Sequence, residues 1–372
     1  MSRPTRAIVD LDAIAANYLL MEAAAGGPGR VLPVVKADAY GHGAVEVSRR
    51  LELEGAPRFA VAFLEEASAL REAGIRGDIL LLSSGDPEDV AELAAQRIAP
   101  VLHDLAQARR MADAAAGLAA PLPVHLKLDT GMGRLGIRPE HVAEAAALLR
   151  DSRGLSLAGT FTQFACADDP RSPATGRQIR AFEDALGILR AEGLDPGLLH
   201  ASNSAGTLHS PNARFDAVRP GLALYGVEPA GAQDDSRRSG LRPALSLESR
   251  VMAVRRVPAG TPLGYGAAFV TRRTTDVAVL PIGYHDGLRR SFSGRSSVLL
   301  RGARAPVVGA VSMDLTLVDA TDTGAEPGDI AVILGRSGAE EIGAWELARA
   351  AGTNPYEILC GIGARVPREY VS

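Results

Sequence analysis

Lysine is nearly missing from this chain. Its 372 residues carry 40 basic side chains, of which 38 are arginines and only Lys36 and Lys127 are lysines. Arg supplies charge and ion pairs as well as Lys does, but it cannot offer a deprotonated primary amine at working pH. The two lysines therefore mark candidate positions for amine chemistry, with chance retention as the plain alternative. Cysteine is equally sparse, and Cys166 and Cys360 are too few for a disulfide framework. No apolar run reaches the ~18 residues of a membrane helix, and the start MSRPTRAIVD lacks the apolar core of a signal peptide. A net charge of −4 without a basic block argues against nucleic acid as a partner. These absences lead to the expectation of a soluble, cytoplasmic protein with no membrane or nucleic-acid partner. What is present, 47% hydrophobic and 23% charged residues, is ordinary for a folded chain. The length suits about two domains.

Short apolar runs alternate with helically patterned stretches through the N-terminal part of the chain. The runs are VLPVVKA from Val31, RFAVAF from Arg58, DILLLS from Asp78, IAPVLH from Ile98, PVHLKLD from Pro123, LAGTFTQF from Leu157, LLHASNS from Leu198 and AVRPGLALYG from Ala217. Between them lie segments such as FLEEASALREAG, PEDVAELAAQ, DLAQARRMADAAAG, PEHVAEAAALLRD and GRQIRAFEDALGILRAEG. Eight such units argue an α/β fold with a closed (β/α)8 TIM-type barrel. An open doubly wound sheet competes, but no G-x-G-x-x-G follows the first strand. One strand, RAIVDL from Arg6, is surplus to the eight and precedes a helix with Asp12 near its cap. EPAGAQDDSRRSG (228–240) reads as a linker. The runs SRVMAVRRV, DVAVLPI, SSVLLRG, APVVGAV and DIAVIL then read as a mainly antiparallel β-domain with a helical piece near 344–351. The expected division is an N-terminal strand over 1–10 joining the C-terminal domain, a cofactor-binding barrel over 11–228 and a β-domain over 240–372.

The barrel reading places Lys36 at the C-terminal end of the first strand, on the face where barrel enzymes carry their active sites. Desolvation among Val34, Val35 and Ala37 should lower its pKa and let it form an imine with a carbonyl. The alternative is a rim ion pair with Asp38, which is awkward because strand neighbours face opposite ways. Loops after the last two strands, HASNSAG (200–206) and RPGLALYG (219–226), offer the Ser204 hydroxyl and the Gly221 N–H to a phosphate, and Tyr40 adds a phenol. A lysine and a phosphate cradle on one barrel mouth suggest pyridoxal 5'-phosphate. Alternation in PVHLKLDTGMGRLG turns His125, Lys127 and Asp129 to one face, so Lys127 points into the barrel or its mouth. An ammonium there must be paired, with Asp129 or another carboxylate, or neutralised, for example as a carbamate that orients Arg134.

VVKADAYGHG, HLKLDTGMGRLG, HASNSAG, RPGLALYG, PLGYG, SMD and the ending NPYEILCGIGARVPREY occur together and in order, and in this the chain resembles the alanine racemase family over essentially its whole length. The resemblance implies an N-terminal barrel, a C-terminal β-domain and a head-to-tail homodimer whose sites combine both subunits. It implies interconversion of L-alanine and D-alanine on pyridoxal 5'-phosphate, supplying D-alanine for peptidoglycan. By position, Lys36 resembles the cofactor lysine and the base on the D face. Tyr265, supplied across the interface like Met313, resembles the base on the L face. Two bases are needed because a planar intermediate accepts its proton from either side. Arg219 resembles the residue facing the cofactor's ring nitrogen, and Arg134 the one holding its phenolic oxygen and the substrate carboxylate. Tyr40, Asn203, Ser204, Gly221, Leu222 and Tyr356 fall at cofactor positions, Met313 and Tyr284 at substrate positions, and Lys127 at the carbamylated lysine. No metal is implied.

Gln163 departs from the pattern, since the family commonly has a His there. A Gln amide can keep a hydrogen-bonded link but cannot change charge near neutral pH. The expectation is altered tuning of Tyr265 without loss of racemisation. His42 and Cys166 read as packing residues. Alternatives are a racemase with another preferred substrate, a related decarboxylase, against which the surroundings of Cys360 speak, and a non-catalytic cofactor carrier, against which PLGYG speaks.

Overall fold

The computed structural model describes residues 4–229 and 239–372, so 230–238, most of the expected linker, lies outside the described residues. Two compact units result. One comprises Ile14–Ala39 and the described residues of Ala44–Arg242; the other gathers the described residues up to Ala13, Tyr40–Gly43 and Pro243–Ser372.

The first unit is a parallel barrel. Its strands are residues 31–34, Arg58–Val61, Asp78–Leu81, Ile98–Ala99 continued by Val101–Leu102, Leu122–Lys127, Leu155–Phe161, Leu198–His200 and residues 217–218. Every pairing is parallel, and the bridge Val31 to Val218 closes the circle. Several strands are shorter than their apolar runs. Proline explains this, because Pro33, Pro100 and Pro220 have no N–H to give a ladder, and Pro100 splits the fourth strand in two. The intervening helices Leu64–Glu72, Val90–Gln96, Leu105–Ala115, Val142–Asp151 and Ala174–Ala191 follow the expected segments to within a few residues at each end. Their inward stripes, such as Val142, Ala145, Ala146 and Leu149, are buried against the strands.

The second unit is a largely antiparallel sheet. Its strands run in the order Ala253–Val257, Thr275–Leu280, Thr316–Asp319, Ala303–Val308, Ser297–Leu300, Ile330–Ser337, Leu245–Arg250, Arg6–Asp10 and Arg368–Val371, with Glu340–Ile342 paired onto Ile330–Ser337. Arg6–Asp10 lies antiparallel to Leu245–Arg250 and parallel to Arg368–Val371. Helix Leu11–Ala25 begins directly after it with Asp12 in its first turn, and the capping carboxylate is that of Asp10: the Ala13 N–H donates to Asp10 Oδ1 at 2.7 Å. A carboxylate caps best from the residue just before the first turn. The helix Ala344–Ala351 falls where its pattern put it, whereas the short helix Pro355–Cys360 and the two-residue strands Pro262–Leu263 and Phe269–Val270 were not visible as apolar runs.

Candidate active site

Lys36 opens a helical turn, Lys36–Gly41, at the mouth end of the first barrel strand. This turn is left-handed: Ala37, Asp38, Ala39 and Tyr40 have φ between 52° and 54°. L-residues pay about 1–2 kcal/mol each for that conformation, so outside contacts must hold it. Glu66 supplies one, accepting the Ala37 N–H at 2.6 Å while also capping its own helix through the N–H groups of Ala62 and Phe63. Asp38 supplies another by accepting the Ala44 N–H at 2.8 Å, which is the role its carboxylate takes here.

Lys127 ends the strand Leu122–Lys127 with only 5% of its surface exposed. Its ammonium reaches the Leu82 carbonyl at 3.4 Å and lies 5.5 Å from the centre of the Phe161 ring. No carboxylate lies within ion-pair distance of it among the described residues. Asp129 is engaged elsewhere, its Oδ1 accepting the N–H groups of Gly131, Met132 and Gly133, each at 3.0 Å. That cluster fixes the loop carrying Arg134, which is exposed and borders a cleft of about 540 Å³. Burial pulls the Lys127 pKa down to about 8, assisted by the positive charges of Arg134, Arg219 and Lys36.

Arg219 is fully interior. Its guanidinium donates to the carbonyls of Thr162 and Ala201 at 2.7 and 3.0 Å, to Gln163 Oε1 at 3.1 Å and to His200 Nδ1 at 2.8 Å, and lies over Phe161. Desolvation lowers its pKa to about 9, which leaves it charged at neutral pH. An arginine only donates, so His200 must accept at Nδ1 and carry its proton on Nε2. That proton is directed at His125 Nδ1, 2.8 Å away. Burial, reinforced by Arg219, drives the His200 pKa well below its ordinary value and that of His125 down to about 4, so both rings stay neutral. Gly159 makes room for this chain, since a Cβ there would sit 2.5 Å from His125 Cε1.

The cradle expected from the last two loops forms a local knot. Asn203 caps the turn Ser204–His209 through its Oδ1 and the Gly206 N–H. Ser204, 3% exposed, accepts the N–H groups of Gly221 and Ala223 at 3.0 and 3.1 Å. The Gly221 N–H is thus spent on Ser204, whose own proton has no acceptor among the described residues. Leu222 is buried beside them.

The remaining candidates belong to the sheet unit. Tyr40 and Tyr356 meet with ring centres 5.7 Å apart, and burial pushes the Tyr40 phenol well above the usual tyrosine range. His42 is fully buried, its ring contacting the Tyr40 carbonyl. Tyr265 stands 72% exposed on a turn bracketed by Gly264 and Gly266, both at positive φ. Met313 and Tyr284 are also exposed, and their loops are joined through the backbone. Sequence reasoning overlooked Glu66, Phe161, His125 and His200 as site-builders. The inward alternation of His125 with Lys127 was the one available signal.

A parallel barrel with amines and guanidinium groups gathered at its mouth, followed in the chain by an antiparallel sheet unit, defines a two-domain barrel enzyme. Residues 9–229 match the family model for the alanine racemase N-terminal domain, and residues 244–370 that for the C-terminal domain. The chain belongs to the alanine racemase family, whose enzymes are isomerases. It is 42% identical over 371 residues to an alanine racemase from Carboxydothermus hydrogenoformans, covering 99% of this chain and 100% of that one. The crystal structure of alanine racemase from Streptomyces lavendulae superposes with a TM-score of 0.93 at 39% identity, covering 100% and 98% of the two chains. That of the Bartonella henselae enzyme, with covalently bound pyridoxal phosphate, gives 0.89 at 29% identity and 99% of both chains.

Proposed function

We propose that this protein is a pyridoxal 5'-phosphate-dependent alanine racemase of the cytoplasm, working as a homodimer and supplying D-alanine for peptidoglycan. The division of labour would follow residues 1–10 and 240–372 for the β-domain and 11–228 for the barrel. The observation that carries the reading is the placement of both lysines at one barrel mouth, Lys36 on a strained turn and Lys127 with no carboxylate within ion-pair distance among the described residues. The residues also suit the cofactor. The buried Ser204 hydroxyl accepts two N–H groups and keeps its own proton for a further acceptor, as a phosphate oxygen would be. The surrounding excess of buried positive charge suits an anionic group.

When bound, pyridoxal phosphate supplies the electron withdrawal that makes the Cα–H bond of an attached amino acid acidic. Lys36 Nζ would hold the cofactor and exchange a proton with Cα on the D side. Tyr265 Oη of the partner subunit would do so on the L side, an arrangement its exposure in the single chain permits. Arg219 would face the ring nitrogen as a donor that keeps its proton, because four acceptors already fix it. Ser204, Asn203, Gly221, Leu222, Tyr40 and Tyr356 would bind the phosphate end. Lys127, as a carbamate, would give Arg134 an anionic partner and leave it oriented toward the substrate carboxylate. Met313, supplied across the interface, and Tyr284 would line the substrate path.

The test is borohydride reduction of the purified holoenzyme followed by peptide mapping, with racemisation of L-alanine in deuterated water measured in parallel. Label on Lys36 and solvent deuterium in both enantiomers are expected. Label on any other residue would sink the assignment.

A further inference from the structure

The sheet unit contains a brace that the racemase reading does not use. The turn Tyr284–Asp286, the loop 312–314 and the segment 363–366 meet within it. Backbone bonds run from the Tyr284 N–H to Ser312 O at 2.9 Å, from the His285 N–H to Met313 O at 3.2 Å and from the Gly363 N–H to Asp286 O at 3.1 Å. The approach is too close for side chains at two points. A Cβ on Gly283 would lie 2.3 Å from the carbonyl oxygens of Ser312 and Met313, and one on Gly363 would lie 2.5 Å from that of His285.

Arg365 ties all three segments together. Its Nε donates to Asp286 Oδ1 at 2.6 Å and its Nη2 to Asp286 Oδ2 at 3.2 Å. The same Nη2 reaches Asp314 Oδ1 at 2.6 Å and the Met313 carbonyl at 3.4 Å. Asp286 is fully buried and also accepts the Gly283 N–H at 2.9 Å, so one carboxylate anchors the turn from both ends. Yet the side chains this framework carries, Tyr284 and Met313, are 42% and 51% exposed. Rigidity built under exposed apolar side chains serves what they face, not the unit's own core. A planar, forked guanidinium reaches two carboxylates and a carbonyl at once, whereas an ammonium is a single point charge.

We propose that Arg365 is a positioning residue: by joining Asp286 to Asp314 and the Met313 carbonyl it holds Tyr284 and Met313 in one arrangement, and thereby sets which amino-acid side chains the racemase site admits. The inference rests on the substrate-path reading of Met313 and Tyr284. Arg365 acts through Asp286, Asp314 and the Met313 carbonyl, not by touching substrate or cofactor.

The experiment uses the holoenzyme with Arg365→Met, Arg365→Lys and Asp314→Asn. Three quantities are read: KM and kcat for L-alanine and L-serine, hydrogen exchange at the Tyr284 and His285 amides, and the urea midpoint. For Arg365→Met, KM for L-alanine should rise about tenfold with kcat changed less than about threefold, the signature of lost binding geometry. The preference for alanine over serine should narrow, and both amides should exchange faster. Arg365→Lys should restore part of each effect. Asp314→Asn keeps the buried pair, so it should shift KM and the serine ratio in the same direction with the urea midpoint unchanged, and it decides the matter if Arg365→Met does not fold. Faster exchange with an unchanged KM and serine ratio would overturn the proposal, as would unchanged exchange. A wild-type holoenzyme that racemises neither amino acid would refute the functional reading instead, and the exchange measurement would still decide whether the brace exists.

Discussion

Lys127 offers the sharpest test of the electrostatics at the barrel mouth. Its folded-state pKa of about 8 lies below the 10.5 of an ordinary lysine, chiefly through burial and then through the charges of Arg134, Arg219 and Lys36. The folded chain therefore disfavours the ammonium. Below pH 8 this lowers stability by its full amount. As pH rises from 8 to 10.5 the folded chain has released the proton while the unfolded chain still binds it, and stability recovers. The shift corresponds to about 3 kcal/mol, which screening by water at the mouth reduces to about 2 kcal/mol. Replacing the amine by an apolar chain of similar length, Lys127→Met, should remove the penalty. In carbon dioxide-free buffer the variant should resist urea better than the wild type by about 2 kcal/mol near neutral pH, and the gap should close at about pH 10. The same shift feeds the proposed modification. At pH 7.5 about a quarter of the folded chains carry a neutral Lys127 amine, against about one in a thousand for an unperturbed lysine. Labelled bicarbonate should then give a carbamate signal in carbon-13 spectra of the wild type that Lys127→Met lacks. A stability gap that does not vary with pH, or a wild type more stable than the variant at neutral pH, would refute the reasoning; absence of the carbon-13 signal would remove the carbamate.

Three further outcomes follow from particular contacts. Ser204→Ala strands two buried N–H groups, those of Gly221 and Ala223, and should cost about 2–4 kcal/mol in urea unfolding; Ser204→Thr, which keeps the oxygen, should cost far less. Ala37→Gly relieves an exposed left-handed residue at φ 52°, so the urea midpoint should rise by the equivalent of about 0.5–1 kcal/mol; a fall would show that the turn carries no left-handed strain at Ala37. Tyr265→Phe alters a largely exposed ring and should leave stability within about 0.5 kcal/mol, while slowing proton removal from L-alanine more than from D-alanine in deuterium exchange. Equal losses for the two enantiomers would count against the two-base assignment.

The barrel was legible because its signal is local. Apolar runs separated by amphipathic stretches repeat on the scale of a single strand or helix, and counting them suffices. Where prolines interrupt those runs, at Pro33, Pro100 and Pro220, the pattern still marks the strand although the ladder there shrinks to bridges or splits. The sheet unit was legible as strands but not as an order of strands. Arg6–Asp10 stands beside Arg368–Val371 from the other end of the chain, and nothing within either segment names the other. Asp12 does fall near the helix cap, in the first turn, while the capping carboxylate itself comes from Asp10, the last residue of the entering strand.

By itself the sequence determined the chemistry on offer: two amines in a chain that uses Arg everywhere else, one at the end of the first barrel strand and one directed into the barrel or its mouth. Residue type and local period carry that much, because they depend only on neighbours in the chain. Tertiary structure decided how those amines behave. The left-handed turn at Lys36 is held at the Ala37 N–H by Glu66, 29 residues further along the chain. His200 is made neutral and given its tautomer by Arg219 on one side and by His125, 75 residues distant, on the other. Asp129, the nearest acid in sequence to Lys127, is taken up by backbone N–H groups instead. Burial and charge are sums over everything packed around a group, and only the folded chain brings those neighbours together.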